Sequence, residues 1–143
     1  MKIRHAKRED FKEIFKILNG ASELRHVRAG NNYNKEWVRD MLTNKSYLSL
    51  IAEERGKIVG FLIAEFWKDE KYSFMLDMFV MPEHRRNGIA TMLEREYEKL
   101  CRKAKMKMIL TSVIVSNKKM QKFMGKRGYE KGTEVYYFEK TLR

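Results

Sequence analysis

Apolar residues along the chain change their spacing several times, and each change marks an element. Lys2 to His5 reads as a short strand. From Arg8 the apolar positions Phe11, Ile14, Phe15 and Leu18 fall at helical spacing behind Glu9 and Asp10, acids that suit the positive end of a helix dipole. Asn19 and Gly20 weaken that helix, and the stretch through Leu24, His26 and Val27 to Gly30, Asn31 and Asn32 has no clean period. Residues 20–34 are therefore a candidate lid. A second amphipathic helix carries Trp37, Val38, Met41 and Leu42 on one face and stops at Thr43 and Asn44.

Tyr47 to Glu53 and Ile58 to Trp67 are strand-like runs separated by Glu54, Arg55, Gly56 and Lys57, a turn cluster. Lys68 to Lys71 lead into a third run, Tyr72 to Met81, so three antiparallel strands are expected in succession. Ile58 to Ala64, the longest apolar run, should be central. A helix from Gly88 places Ile89, Met92, Leu93, Tyr97 and Leu100 on one face and ends among Lys103, Lys105 and Lys107. Met108 to Val115 is a further strand, and because a helix connects it, its pairing with Tyr72 to Met81 should be parallel. Ser116 and Asn117 cap a short helix that Gly128 stops. Tyr129 to Glu130 and Val135 to Thr141 are expected to form a last antiparallel pair.

One stretch departs from ordinary helix chemistry. Between Asp77 and Leu93 an apolar run ends at Pro82, a basic turn follows, and a helix begins at Gly88. Acids are favoured at a helix N-terminus, yet Arg85 and Arg86 precede this one, with only Asn87 as a cap. A bound anion would supply the missing negative charge, since backbone amides, dipole and guanidinium groups would converge on it. Gly88 and Ala90 leave room for its approach to the backbone. The pattern reads as a phosphate site.

At 143 residues the chain fits one domain, and a domain of that size buries roughly 70% of its unfolded surface. No apolar run approaches the roughly 20 residues that span a bilayer, and the N-terminus lacks the apolar segment of a secretory signal, so a cytoplasmic location is expected. Cys101 is the sole cysteine, which excludes an internal disulfide. His5, His26 and His84 are scattered without zinc spacing, so no metal is expected. The 31 Lys and Arg against 19 Asp and Glu give +12, which attracts anionic partners such as nucleic acid, the ribosome or a polyphosphate cofactor and repels polycations.

The turn Val80, Arg85, Arg86, Asn87, Gly88, Ile89, Ala90 closely resembles the acyl-CoA pyrophosphate loop of the GCN5-related N-acetyltransferase (GNAT) superfamily, whose pattern is Gln/Arg-x-x-Gly-x-Gly/Ala. Ile3, Arg4, Ala6 and Asp10 resemble that family's opening strand and helix, and Val115, Ser116, Asn117 with Gly128 and Tyr129 resemble a later block. The resemblance runs from Met1 to about Leu142. It implies a single GNAT domain over 1–143 with an α/β (α+β) fold. Its mixed central sheet would have about seven strands with about four helices, in the order β-α-α-β-β-β-α-β-α-β-β.

The resemblance also implies roles. Arg85, Arg86, Asn87, Gly88, Ile89 and Ala90 would bind the pyrophosphate of acetyl-CoA; Met78, Phe79 and Val80 would pair through their backbone with the pantetheine arm, and Asn117 would meet the same arm. The strand Met108 to Val115 would splay away to leave a slot. The family often places Tyr where this chain has Met124, and that hydroxyl protonates the departing thiolate. Met124 cannot, so the general acid is another group, a water, or unnecessary.

The implied chemistry is transfer of an acetyl group to a primary amine, and an alkyl amine with a pKa of about 10 benefits from a base. Asp77 and Glu65 are the catalytic candidates, acids inside otherwise apolar runs; an unpaired carboxyl at Asp77 would be hard to ionise. Tyr33 and Trp37 are candidates to line an acceptor pocket. The charge disfavours polyamine acceptors. A homodimer is compatible with the sequence, and a non-catalytic acyl-CoA sensor or a basic ribonucleoprotein-binding module on the same fold is the rival reading.

Overall fold

The computed structural model describes residues 1–24 and 33–142, so the candidate lid, 20–34, lies mostly outside the described residues. The chain comprises two compact units, Met1–Thr111 and Ser112–Arg143. The first unit holds β1 (Lys2–His5), α1 (Phe11–Gly20), α2 (Lys35–Thr43), β2 (Tyr47–Glu54), β3 (Lys57–Trp67), β4 (Tyr72–Val80), α3 (Ile89–Lys103) and β5 (Met108–Thr111). The strands form one sheet in the order β1-β2-β3-β4-β5, antiparallel except for the parallel β4–β5 pair. The apolar run in β3 is central, as its composition requires, because both of its faces are covered. Arg55 and Gly56, at φ 51° and 74°, form the two-residue turn joining β2 to β3, a left-handed pair that matches the twist of the strands.

On one face of the sheet, Ile14 and Leu18 of α1 and Val38, Met41 and Leu42 of α2 pack with Ile51, Phe61, Ile63 and Phe79. On the other face α3 lies against β2, β3 and β4 and buries Ile89, Leu93, Tyr97 and Cys101. Buried polar atoms are paired: the Tyr97 and Ser73 hydroxyls lie 2.7 Å apart, and Ser49 Oγ donates to Met41 O at 2.7 Å. Burial pushes the Cys101 thiol up, which keeps it protonated and inert. Among the described residues no helix is long and apolar enough to cross a membrane.

Two features of β3 and β4 position the site. Ile63 pairs with Asp77 while Ala64 pairs with Met75, so Leu76 is an extra residue, a bulge in β4. Pairing of β4 with β5 also ends at Met75, opposite Thr111. Gly60 is the second feature. A Cβ there would stand 2.9 Å from Phe79 O and 3.3 Å from Ile89 Cγ2, so the bare backbone lets the end of β4 and the start of α3 settle on β3.

The second unit holds α4 (Lys118–Lys126). Its described residues contain no strand, which corrects the expected count from about seven strands to five. Tyr129 to Glu130 and Val135 to Thr141 do not pair. Val135 to Phe138 is apolar without alternation, and Tyr136 and Phe138 are 90% and 96% exposed. Strand propensity reports how well a side chain fits a half-buried pleated surface, and here no such surface covers the run. The strand expected over Met108 to Val115 is likewise only the four residues of β5. It stops where β4 bulges.

Two stability predictions follow from this packing. Gly60→Ala forces the Phe79 carbonyl to move and is expected to lower stability by about 1–3 kcal/mol, read as the urea midpoint; an unchanged midpoint would contradict the close approach. Arg4 donates to both oxygens of Asp10 at 2.8 and 2.9 Å and to Glu53 at 2.6 Å. The Arg4 hydrogen bond holds the Asp10 carboxyl below its ordinary value. A group depressed in the folded state stabilises above its unfolded pKa and loses that contribution as pH falls through the folded one. Stability should therefore drop below about pH 4, and the drop should be shallower in Asp10→Asn, measured by thermal melts across pH.

Candidate active site

The turn after β4 is built from unusual backbone. Pro82–His84 form a single 3-10 turn after Met81, whose N–H donates back to Val59 O at 2.9 Å. Arg86 then takes φ 65° and Gly88 φ 76°; the second is easy for glycine, while the first costs a residue with a Cβ. Gly88 is the N-cap of α3 and has no side chain to offer the helix amides. Ile89, Ala90 and Thr91 occupy the first positions, whose N–H groups have no intrahelical partner; the first helical bond is Met92 N to Gly88 O at 3.0 Å. The first turn contains no acid, and the last turn carries Arg102 and Lys103. A Cβ built on Gly88 would meet nothing within 4 Å, so the space over the turn is open.

The basic residues of the turn divide. Arg85 Nε donates to Val80 O at 2.9 Å, its terminal nitrogen reaches Glu23 Oε1 at 2.7 Å, and the guanidinium lies 5.4 Å from the Phe79 ring centre. Arg85 is thus engaged by three groups of the fold. Arg86 is exposed, and Asn87 Nδ2 donates to His84 O at 3.3 Å rather than capping α3. Alongside, Asp77 to Val80, which includes Met78 and Phe79, pairs with β3 on one side and with no described strand on the other.

Asp77 sits on that open stretch and is 5% exposed. The Tyr33 hydroxyl lies 3.1 Å from each of its carboxylate oxygens and 3.2 Å from Leu24 O. Burial, followed by the Asp77 charge and hydrogen bond, pushes the Tyr33 hydroxyl well above its ordinary range. The carboxyl of Asp77 is therefore paired, and the unpaired condition weighed from sequence is not met. Tyr33 itself stacks on Trp37, with ring centres 5.5 Å apart, and its N–H donates to Asn19 Oδ1 at 2.7 Å. Glu65 is half-buried on β3 opposite Phe74, two rows before the bulge, where β4 is still paired with β5.

In the second unit Asn117 is the N-cap of α4, its Oδ1 accepting from Met120 N at 3.1 Å. The cap uses one end of the carboxamide and leaves the Nδ2 donor unspent. Met124 is buried on the same helix, and its carbonyl accepts from Tyr129 N at 3.0 Å across the left-handed Gly128. Among the described residues no group of three or more His, Cys, Asp or Glu could hold a metal ion.

The partner of Asp77 was not legible from periodicity. Tyr33 lies between an aperiodic stretch and the N-cap Asn34, so the sequence offers it only as an aromatic ahead of a helix. What directs it to Asp77 is the bulge, which no local pattern announces.

A family model described as the acetyltransferase (GNAT) family matches residues 10–129, and the chain belongs to that family. N-alpha-acetyltransferase 60 of Xenopus tropicalis is 30% identical over 79 residues, a match covering 43% of this chain and only 33% of the relative. The fold is shared with AAC(6')-Iy in complex with a CoA bisubstrate analogue, at TM-score 0.80 and 19% identity, covering 99% of this chain and 98% of that one. It is shared also with a ribosomal-protein-alanine N-acetyltransferase from Brucella melitensis biovar Abortus 2308, at TM-score 0.76 and 15% identity over 97% and 99%.

Proposed function

We propose that the chain is one N-acetyltransferase domain over residues 1–143 that moves the acetyl group of acetyl-CoA to a primary amine by direct attack in a ternary complex. The observation that carries this reading is the start of α3: uncapped, without acids, opening on free space after a left-handed Arg86 and Gly88. Membership of the acetyltransferase family supports the same ligand class.

In this reading the backbone amides from Arg86 to Ala90 hold the pyrophosphate, with the exposed Arg86 guanidinium beside them. Arg85 braces the turn, because its guanidinium is held by Val80 and Glu23. The backbone edge at Met78, Phe79 and Val80, apart from the Val80 carbonyl that Arg85 holds, pairs with pantetheine amides, and an N–H of that edge polarises the thioester carbonyl. Asn117, in the second unit, keeps an Nδ2 donor that its cap does not use. The amine nitrogen bonds to the carbonyl carbon, its proton passes to Asp77 directly or through a water, and the C–S bond breaks to release thiolate. A thiol pKa of about 8.5 makes that departure workable with Met124 in place of a donor. Asp77 is preferred to Glu65 as the base because it lies on the open stretch of β4, past the last β5 contact.

Gly88→Asp keeps a residue type that tolerates the left-handed backbone and sets a carboxylate where the pyrophosphate belongs. Calorimetry with CoA should show affinity lower by tenfold or more, each tenfold corresponding to about 1.4 kcal/mol of repulsion. Retained affinity would displace the cofactor from this turn. Turnover is tested with an acidic peptide, a small anionic amine and an aminoglycoside, following acceptor-dependent release of CoA. Tight CoA binding without turnover on any of them would favour the sensor reading. RNA binding that falls steeply with salt and persists in Gly88→Asp would favour the ribonucleoprotein reading. On an active acceptor, Asp77→Asn should lower kcat by roughly a hundredfold and flatten the acid limb of the pH profile; a profile identical to the parent's would remove Asp77 from the mechanism.

A further inference from the structure

We propose that Tyr33 is the positioning residue for Asp77, its hydroxyl bridging and orienting the carboxylate; the inference rests on the reading of Asp77 as the base. A carboxylate as buried as Asp77 is costly unless hydrogen-bonded, and Tyr33 stands 3.1 Å from both of its oxygens. The hydroxyl has one proton, which it donates to either oxygen, and a donor to the charged form favours that form.

The alternative acceptor is the neutral Leu24 carbonyl at 3.2 Å. A charge-assisted bond is roughly twice as strong as a neutral one, so the hydroxyl serves Asp77 while it is ionised and can turn to Leu24 when it is protonated. The raised Tyr33 hydroxyl keeps its proton throughout the working range and does not compete as a base. Its ring is fixed from two helices. It stacks on Trp37 of α2, and the Tyr33 N–H is held by Asn19 of α1, whose Nδ2 donates in turn to Phe15 O at 3.1 Å. Among the described residues, the charged groups on this face of the sheet include Glu65 on β3, the Glu23–Arg85 ion pair beside Phe79, and Arg4, which sits across from Ile51 and is bonded to Asp10 and Glu53. The Glu23–Arg85 pair is internally balanced, and Glu65 lies opposite Phe74 rather than Asp77.

The test removes only the hydroxyl. In the full chain without ligand, the Asp77 carboxyl is followed by carbon-13 NMR from pH 3 to 8, and Tyr33→Phe is expected to move its protonation to higher pH by about half a unit to one unit. With the acceptor that turns over best, Tyr33→Phe should lower kcat about tenfold and shift the acid limb upward, with KM for acetyl-CoA unchanged. In an Asp77→Asn background the same substitution should add less than a twofold change. Superimposable NMR titrations overturn the inference, whatever happens to the rate. An NMR shift accompanied by an unchanged Asp77→Asn rate profile instead overturns the base reading, and the catalytic meaning of the bond falls with it. Loss of activity that is equal in both backgrounds marks a merely structural Tyr33 and also overturns the inference.

Discussion

The bulge at Leu76 is the constraint on which the site depends. Before it, Ser73 meets Tyr97 of α3, so odd-numbered residues of β4 point to the α3 face. After it, Asp77 meets Tyr33, and Phe79 packs with the α1 and α2 cluster, so odd-numbered residues point to the other face. An unbroken strand would have placed Asp77 beneath α3, away from Tyr33. The same extra residue coincides with the end of the parallel β4–β5 ladder, beyond which β4 has no described strand on that side. One local irregularity thus presents a carboxylate on one face of the strand and opens a backbone edge beside it.

The turn is held against this strand by core packing rather than by its own bonds. Gly60 allows Phe79, Val80 and Ile89 to approach β3 within a distance that a Cβ would forbid. The start of α3 is consequently fixed by the same contact that fixes the end of β4. Uncapped amides and a left-handed Arg86 are unfavourable locally, and they persist because the flanking strand and helix are determined by buried apolar area. That is how a helix start short of negative charge is maintained.

Much of this was legible in the sequence, and the reason differs by element. The helices and the long strands were readable because each repeats one period over many residues, and the basic turn was readable because its charge contradicts the helix dipole. Asp77 stood out as an acid in an apolar run. Its partner did not, because both faces of β4 are covered, and buried and half-buried residues alternate straight through the bulge. Parity in the sequence cannot reveal a change of face when neither face is exposed. The expected final hairpin fails for the converse reason: aromatic and β-branched residues from Val135 to Phe138 satisfy strand propensity, but pairing is a property of a neighbour that the segment does not itself encode.

Arg85 and Arg86 show how far equal sequence signals can separate. Both precede the same helix and carry the same charge. Arg85 is drawn back by the Val80 carbonyl, the Glu23 carboxylate and the Phe79 ring, and so ties the 3-10 turn at Ser22–Leu24 to the end of β4. That same turn presents the Leu24 carbonyl as the second acceptor of Tyr33, whose first acceptor is Asp77. The residues flanking 25–32 are therefore both anchored on β4 past its bulge, one end through Glu23 and Arg85, the other through Tyr33 and Asp77. Arg86, by contrast, remains exposed at the helix start. The two arginines thus serve different ends of the strand's chemistry, and the bulge sets the register that separates them.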